Sequence, residues 1–307
     1  MDNPVRKVFV IYNPHSGKED QAAEVRETLA RYFIPPRWIS EVYETTGKED
    51  VAAICRAACQ RGASLVVAAG GDGTLIGVAN GLVLSRIPLG IVPTGTANFL
   101  ARALLIPLKL EEAVKLLVGE HDVVDVDALK VGDRHFFSNV SVGISPRLVN
   151  DTKAANKKFF GRLAYLMSIV KRSSIFRLRR YKVTLDGRTR WIRASEVMIS
   201  NTTLMEKPPS LLGPPETLSD GQLEVYVLTA RTLRDYARLV WDLFMRPGRP
   251  ATKLSHLAAT HSARVEAERH SPLVQADGEM IGHTPVEIQM VPRAIHVITP
   301  RPAASAT

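Results

Sequence analysis

The sequence predicts an α/β domain with a parallel sheet over residues 1–121, a mainly antiparallel β domain over residues 122–299, and a tail at 300–307. In the first 120 residues, short apolar runs alternate with segments whose apolar residues recur at helical spacing. Beyond His121, short apolar segments are separated by turn signals such as Asp186-Gly187. A chain of 307 residues is long enough for both domains.

The first domain is predicted to consist of buried strands, each followed by a helix. We predict strands at 7–12, 38–43, 64–69 and 88–92, and helices at 18–33, 49–61, 74–84, 98–104 and 110–118. Strands that alternate with helices form βαβ units in a parallel sheet. The carboxyl ends of these strands therefore meet at one edge, where open α/β sheets bind ligands.

The second domain is predicted to be built mostly of paired strands. We predict strands at 123–130, 135–142, 181–185, 189–193, 223–228, 263–267, 286–290 and 295–298. Two helices, at 159–172 and 233–244, interrupt them, and the proline-rich segment 207–215 is predicted to be a rigid loop.

The composition indicates a globular cytoplasmic protein. The hydrophobic fraction is 45% and the charged fraction 23%, as in ordinary globular domains. No apolar run approaches the roughly 18 residues that a membrane-spanning helix needs. The two cysteines, Cys55 and Cys59, are expected to be reduced thiols. We therefore expect a cytoplasmic location, with contact to the inner membrane face only from the side.

Positive charge is concentrated in one segment. Residues 147–193 contain 14 Lys and Arg and two acidic residues, a charge of +12, whereas the whole chain carries +9. This excess predicts a polyanionic partner surface. The helix predicted at 159–172 either lies on an anionic membrane or packs on the second domain with its charges in solvent, and both alternatives stay open. No nucleic-acid-binding module is recognisable.

A glycine-rich turn after the strand at 64–69 is the most informative motif. Here a helix follows the turn directly, and glycines let a ligand approach the main chain while the helix N-terminus offers free N–H groups. The turn suits nucleotide phosphates, and its carboxylate suits a Mg²⁺ ion beside them. The alternative is an ordinary glycine-rich turn. In either case the residues of this motif are Gly70, Gly71, Asp72, Gly73 and Thr74.

Three further loops follow strands at the same predicted edge. The loop after the first strand contains Asn13 and Ser16, and the loop after the second contains Thr45 and Thr46. The loop after the fourth strand contains Thr96. Each loop brings hydroxyl or amide groups to the edge, although Thr45 and Thr46 could instead cap a helix.

In this order, the motifs resemble those of the diacylglycerol kinase catalytic family. That family includes bacterial lipid kinases and sphingosine kinases and is distantly related to NAD kinases and phosphofructokinases. The resemblance implies an N-terminal α/β nucleotide-binding domain whose parallel sheet is like that of NAD kinases and phosphofructokinases. It also implies a β-sandwich-like second domain and an active site in the cleft between the two domains. It also implies that ATP is held by the 70–74 turn, by Thr45 or Thr46, and by Thr96. The motifs are Asn13-Pro-x-Ser16-Gly17, Gly70-Gly-Asp-Gly-Thr74, Pro93-x-Gly-Thr96-x-Asn98 and Asp277-Gly278-Glu279.

The resemblance also implies functions for two acidic turns in the second domain. Asp277 or Glu279 would accept the proton of the lipid hydroxyl, and the sequence leaves open which of them does so. On residue types alone, Asp277-Gly278 is simply a favoured turn pair. Asp220 would bind Mg²⁺ through its side chain, with main-chain carbonyls of Thr217 and Gln222 as further ligands.

The sequence thus predicts a kinase that uses ATP and Mg²⁺ to phosphorylate a lipid hydroxyl. It departs from the family pattern at Phe99, where an aspartate is common, and in the 207–215 segment, which replaces a glycine-rich loop. The acceptor therefore stays open among diacylglycerol, monoacylglycerol, sphingoid bases and prenols. The alternatives are an NAD kinase, whose characteristic Asn-Glu pair is absent, and a catalytically inactive nucleotide- or lipid-binding regulator. The oligomeric state is not defined by the sequence.

Overall fold

A computed structural model of the chain describes residues 5–17, 21–144, 177–201, 218–245 and 251–301. The helix predicted at 159–172, the loop at 207–215, Thr217 and most of the tail lie outside these residues. The chain divides into two compact units, the first formed by residues 1–127 and 292–307 and the second by Ala128–Val291. The final segment thus belongs with the first unit, whereas the linear prediction placed residues up to 299 in the second domain.

The first unit contains a parallel sheet, as predicted. Its strands, in the order β2-β1-β3-β4, are all parallel. The end of the last strand of the chain, β16, pairs in parallel with β4 through Val297 and Leu89. The strands are β1 (Arg6–Tyr12), β2 (Trp38–Glu44), β3 (Leu65–Gly70), β4 (Leu89–Pro93) and β16 (Val286–Thr299). The helices are α1 (Gln21–Tyr32), α2 (Val51–Gln60), α3 (Asp72–Leu82), α4 (Phe99–Ala103) and α5 (Leu110–Val118).

Helices pack on both faces of this sheet, which explains why its strands are almost wholly apolar. All six residues of β3 are buried. Alternate residues of β1 and β3 join one core cluster with apolar residues of α1 and α5. Helices α2 and α3 pack so closely that a Cβ on Gly81 of α3 would lie only 2.5 Å from the Cβ of Cys55.

The second unit consists of two antiparallel sheets around one core. In one sheet the first half of β16 pairs with β13, followed by β8 and β9. The other has the order β12-β11-β10-β7-β14-β15. A cluster that includes Val140, Val225 and Val265 forms the core. The strands are β5 (Asp122–Val131), β6 (Arg134–Phe136), β7 (Asn139–Val142), β8 (Arg179–Leu185), β9 (Arg188–Ala194), β10 (Glu196–Ser200), β11 (Leu223–Leu228), β12 (Leu254–Ala259), β13 (Ser262–Ala267), β14 (Leu273–Ala276) and β15 (Glu279–His283), and α6 spans Leu233–Met245.

The predicted architecture is confirmed, but several strands differ from prediction. The strand predicted at 135–142 is two strands, β6 and β7, because β6 pairs with β5 whereas β7 joins the other sheet. The strands predicted at 286–290 and 295–298 are one continuous strand, β16. Strands β10, β12, β14 and β15 were not predicted. No helix in the described part of the chain is long and apolar enough to cross a membrane.

Candidate active site

At the carboxyl edge of the parallel sheet, each of the loops that follow β1, β2 and β4 lies beside the end of an adjacent strand. Main-chain hydrogen bonds continue the strand pairing into these loops. Asn13 N–H donates to Ala69 O at 2.9 Å, and Thr94 N–H donates to Gly70 O at 3.0 Å. Thr45 N–H donates to the carbonyl that ends β1 at 2.8 Å. The sequence motifs predicted at this edge are therefore neighbours in space.

Hydroxyl groups join the first and fourth loops. The Ser16 hydroxyl donates to Asn13 O at 2.7 Å and lies 2.6 Å from the Thr94 hydroxyl. The approach is close, since a Cβ on Gly17, where φ is +95°, would lie 2.6 Å from Thr94 O. Thr94 is buried and was not among the predicted site residues. Its position directly after β4, in a motif already singled out, is the signal that could have identified it.

The Asp72 carboxylate joins the third and fourth loops. Its Oδ2 accepts the Asn98 N–H at 3.0 Å, and its Oδ1 accepts the Phe99 N–H at 2.7 Å. The Asn98 side chain donates in turn to Gly95 O at 2.7 Å. Asp72 therefore holds the start of α4, a function that the sequence did not predict. Its expected place beside Mg²⁺ stays a prediction.

The N-terminus of α3 is open to a ligand. Gly71 is the N-cap and carries no capping side chain, and the first main-chain bond runs from Leu75 N–H to Gly71 O at 3.0 Å. The N–H groups before Leu75 have no partner within the helix. A Cβ on Gly73 would meet nothing within 4 Å, whereas one on Gly70 would lie 2.6 Å from the Thr74 side chain. Free space therefore adjoins the positive end of the helix dipole.

The loop after β2 is fixed by Glu49. Its carboxylate accepts the Thr46 N–H at 2.9 Å and the Thr46 hydroxyl at 2.8 Å. These two bonds, the N–H first, lower the pKa of Glu49 to about 2. The N-cap of α2 is Asp50, which accepts the Ala53 N–H at 3.0 Å, so Thr46 braces the loop and does not cap the helix. Thr45 is buried, and Thr96 is exposed.

In the second unit, the two candidate bases have different surroundings. Asp277 and Gly278 form the turn between β14 and β15, with φ of +45° and +82°. The Asp277 carboxylate accepts three main-chain N–H groups at 2.7–3.0 Å, from residues 137 to 139. Glu279 is instead partly exposed, and its Oε2 lies 2.6 Å from Arg134 Nη2. Asp277 thus holds a loop, while Glu279 presents its carboxylate at the surface.

Gln275 supports this turn and was not identified from the sequence. It is buried, and its amide group donates to Asn139 Oδ1 at 2.9 Å and to Ser141 Oγ at 2.8 Å. Its carbonyl oxygen accepts the Gly278 N–H at 2.8 Å. A glutamine within the otherwise apolar β14, two residues before the acidic turn, is a weak signal that could have indicated it.

Comparison with known proteins identifies the family. The model of the diacylglycerol kinase catalytic domain matches residues 7–131. The model of the YegS C-terminal NAD kinase beta sandwich-like domain matches residues 138–299, about half of the chain. The chain belongs to the diacylglycerol kinase catalytic family.

Relatives of this kinase family match the chain over nearly its whole length. A diacylglycerol kinase of Bacillus subtilis is 28% identical over 307 residues, which cover 98% of each chain. A diacylglycerol kinase of Mycobacterium tuberculosis is 26% identical, over 97% of this chain and 96% of its own. A crystal structure of a diacylglycerol kinase from Bacillus anthracis has the same fold, with a TM-score of 0.70, 22% identity and coverage of 97% and 98%.

For this kinase family member, the predicted metal ligands are only partly described. Asp220 is exposed, and its Oδ1 accepts the Gln222 N–H at 2.8 Å across Gly221, whose φ is +70°. Thr217 lies outside the described residues. Among the residues that the structure describes, no group of three or more His, Cys, Asp or Glu side chains could hold a metal ion. Asp220 and Gln222 therefore share one turn, and their role as ligands stays a prediction.

Proposed function

We propose that this protein is a lipid kinase that transfers the terminal phosphate of ATP to a hydroxyl group of diacylglycerol or a related lipid. The observation that carries the proposal is the arrangement around the N-terminus of α3. There, Asp72 and the Ser16–Thr94 contact hold the neighbouring loops beside an uncapped helix end. Membership of the diacylglycerol kinase family supports the reaction class.

The nucleotide phosphates would bind at the uncapped helix end. The N–H groups of Gly71, Gly73 and Thr74 and the helix dipole favour anions, and the space beside Gly73 admits phosphate oxygens. Because the loops are already braced, little ordering is needed when ATP binds. The surrounding polar groups would then contact the rest of the nucleotide, and we assign this role to Asn13, Ser16, Thr45, Thr46 and Thr96.

We assign the general base to Glu279. In the transfer, the lipid oxygen forms a bond to the γ-phosphorus while the bond from that phosphorus to the β–γ bridging oxygen breaks, and ADP leaves. The hydroxyl proton passes to the base. Asp277 already accepts three main-chain N–H groups, whereas Glu279 is partly exposed with Arg134 fixing its orientation. These contacts favour Glu279 over Asp277.

The residue types at the acidic turn suit Mg²⁺. A carboxylate and main-chain carbonyls are hard oxygen donors, and Mg²⁺ commonly keeps several waters with only one or two carboxylates. Asp220, with the carbonyls of Gln222 and Thr217, would hold the ion. When bound, the ion would offset the negative charge of the phosphates.

The test is transfer of labelled γ-phosphate from ATP to candidate acceptors. The wild-type protein should label at least one of diacylglycerol, monoacylglycerol, a sphingoid base or a prenol, and Glu279→Gln should lower kcat at least ~100-fold while ATP affinity is unchanged. Labelling of NAD alone would identify an NAD kinase instead. ATP binding without transfer to any acceptor would identify a regulator. Normal turnover of Glu279→Gln would remove the assigned base.

A further inference from the structure

A groove lined by arginines lies in the second unit, where β8, β9 and the approach to α6 meet. Its volume is about 500 Å³, within the range of small-ligand sites. Five arginines and one acidic residue line it, a net charge of +4. The charged lining residues are Arg177, Arg179, Arg180, Arg193, Arg231 and Glu268.

The single carboxylate does not neutralise these arginines. Glu268 lies 2.7 Å from Arg180 and forms its ion pair there. Within the described residues, no carboxylate forms an ion pair with the remaining four, which are Arg177, Arg179, Arg193 and Arg231. Clustered like charges repel one another, so the described residues leave this groove with an excess of positive charge. Guanidinium groups are matched in shape to phosphate oxygens, which makes a phosphate-bearing partner the complementary ligand.

An exposed tryptophan adjoins the groove. Trp191 of β9 is 51% exposed, and the Arg180 guanidinium lies over its ring at 4.9 Å from the centroid. Trp191 is also paired across the strands with Lys182. An aromatic ring beside cationic groups is the combination that residues at a membrane surface use, because the ring enters the headgroup layer while the charges meet phosphates.

We propose that this arginine groove, together with Trp191, docks the protein on the headgroups of anionic phospholipids. The proposal adds a membrane partner to the proposed lipid kinase function. It rests on that function only for the reason that docking is useful, since a lipid acceptor resides in a membrane. It concerns the five groove arginines and Trp191, whereas the basic residues between 147 and 176 lie outside the described residues.

The first test compares two variants with equal change of charge. The groove variant combines Arg177→Glu, Arg193→Glu and Arg231→Glu. The control combines Arg31→Glu, Arg37→Glu and Arg86→Glu in the first unit, all exposed and, among the described residues, without an ion pair. Binding is measured by co-sedimentation with vesicles of phosphatidylcholine containing phosphatidylglycerol, and with pure phosphatidylcholine.

The wild type should bind the mixed vesicles and not the neutral ones. Each basic residue at an anionic surface strengthens binding about fivefold, so the groove variant should bind at least ~100-fold more weakly. The control variant should keep its affinity within about threefold, and raised salt should weaken wild-type binding. Equal losses in both triple variants would show that only net charge matters and would overturn the proposal, as would unchanged binding of the groove variant.

A second test leaves the arginines intact and reports on the docking face. In a Trp241→Phe variant, the remaining tryptophans are Trp191 and Trp38, and Trp38 is buried. Anionic vesicles carrying brominated acyl chains should quench the Trp191 fluorescence, and neutral ones should not. An unquenched Trp191 on vesicle-bound protein would exclude this face. Binding of single-stranded RNA in preference to vesicles would assign the groove to a different partner. Neither test requires turnover, so its failure is distinguishable from failure of the proposed kinase activity.

Discussion

Two aspartates that the sequence associates with chemistry also hold the main chain together. Asp72 binds N–H groups of residues 98 and 99, and Asp277 binds those of residues 137 to 139. Each aspartate lies in a glycine-containing turn and reaches a loop distant in the sequence. A carboxylate with several N–H donors orders a loop firmly, because hydrogen bonds to charged groups are among the stronger ones in proteins.

Replacement of Asp277 should therefore act mainly on stability. Asp277→Asn places an amide group, itself a donor, against at least one of the three N–H donors. We expect the free energy of unfolding to fall by about 2–4 kcal/mol, measured by urea denaturation. Glu279→Gln is the matched control, since it removes only a partly exposed ion pair and should cost less than about 1 kcal/mol. Unchanged stability of Asp277→Asn with lost turnover would instead make Asp277 the base.

Gly73 should separate ATP binding from folding. In Gly73→Ala the added Cβ meets no atom of the protein within 4 Å, and alanine favours a helix over glycine by up to about 1 kcal/mol. The thermal midpoint should stay the same or rise, whereas ATP affinity by calorimetry should fall at least ~10-fold, because the methyl group occupies the phosphate space.

Gly81→Ala in the same helix should give the opposite result. Its Cβ would lie 2.5 Å from Cys55 Cβ and 2.8 Å from Ala52 O, so stability should fall while the folded fraction keeps its ATP affinity. Normal ATP affinity of Gly73→Ala would place the phosphates elsewhere.

At the scale of elements, the features that could be predicted are those whose signal lies within one short segment of the sequence. The βαβ pattern was readable because β3 is wholly apolar and is followed at once by glycines and a helix. The hairpin at Asp186-Gly187 was readable because both residues adopt positive φ, as that dipeptide favours.

The missed features depend on distant partners. Strands β10, β12 and β14 contain polar residues that obscure the apolar pattern, and three of these residues, Glu196, Ser200 and Gln275, are buried. Burial of such groups is tolerated where partners satisfy them, and the partners of Gln275 on β7 lie 134 and 136 residues away. The hydrogen bond from Phe99 N–H to the Asp72 carboxylate likewise joins residues that are 27 positions apart. A single sequence gives no direct signal of such pairs.

The loop between β2 and α2 should show a pH dependence through Glu49. Because the pKa of Glu49 in the folded protein is about 2, below its ordinary value of 4.5, Glu49 stabilises the fold fully above pH 4.5 and loses this effect as pH falls toward 2. The difference in unfolding free energy between the wild type and Glu49→Gln should be constant near neutral pH and shrink below about pH 4.5. Guanidinium denaturation across this pH range measures it. A difference independent of pH would mean that the carboxylate is not held by Thr46.

At the scale of the whole molecule, the first unit should need the end of the chain. Residues 1–127 alone would lack Ile295, Val297 and Ile298, all buried, whose burial contributes about 1.5–3 kcal/mol each. That sum approaches the total stability of a typical domain. We therefore expect the fragment 1–127 to show no cooperative thermal unfolding by circular dichroism.

A fusion that restores residues 292–301 should fold. A short glycine-serine linker from Asp127 to Pro292 is sufficient, because Arg293 N lies only 2.7 Å from Asp127 Oδ1. The same fusion carrying Ile295→Asp is the control and should not fold, since it buries a charge. Cooperative unfolding of the unfused fragment would show that the last segment is dispensable.

The pairing of β16 with β4 also determines when this protein can finish folding on the ribosome. Strands β1 to β4 are translated before the second unit, but the part of β16 that covers the free edge of β4 is translated only after that whole unit. Until then β4 presents an open edge, of the kind that invites pairing with other chains. A nascent chain that terminates before Pro292 never closes this edge, so premature termination yields an aggregation-prone product even when every loop of the candidate nucleotide site has been made.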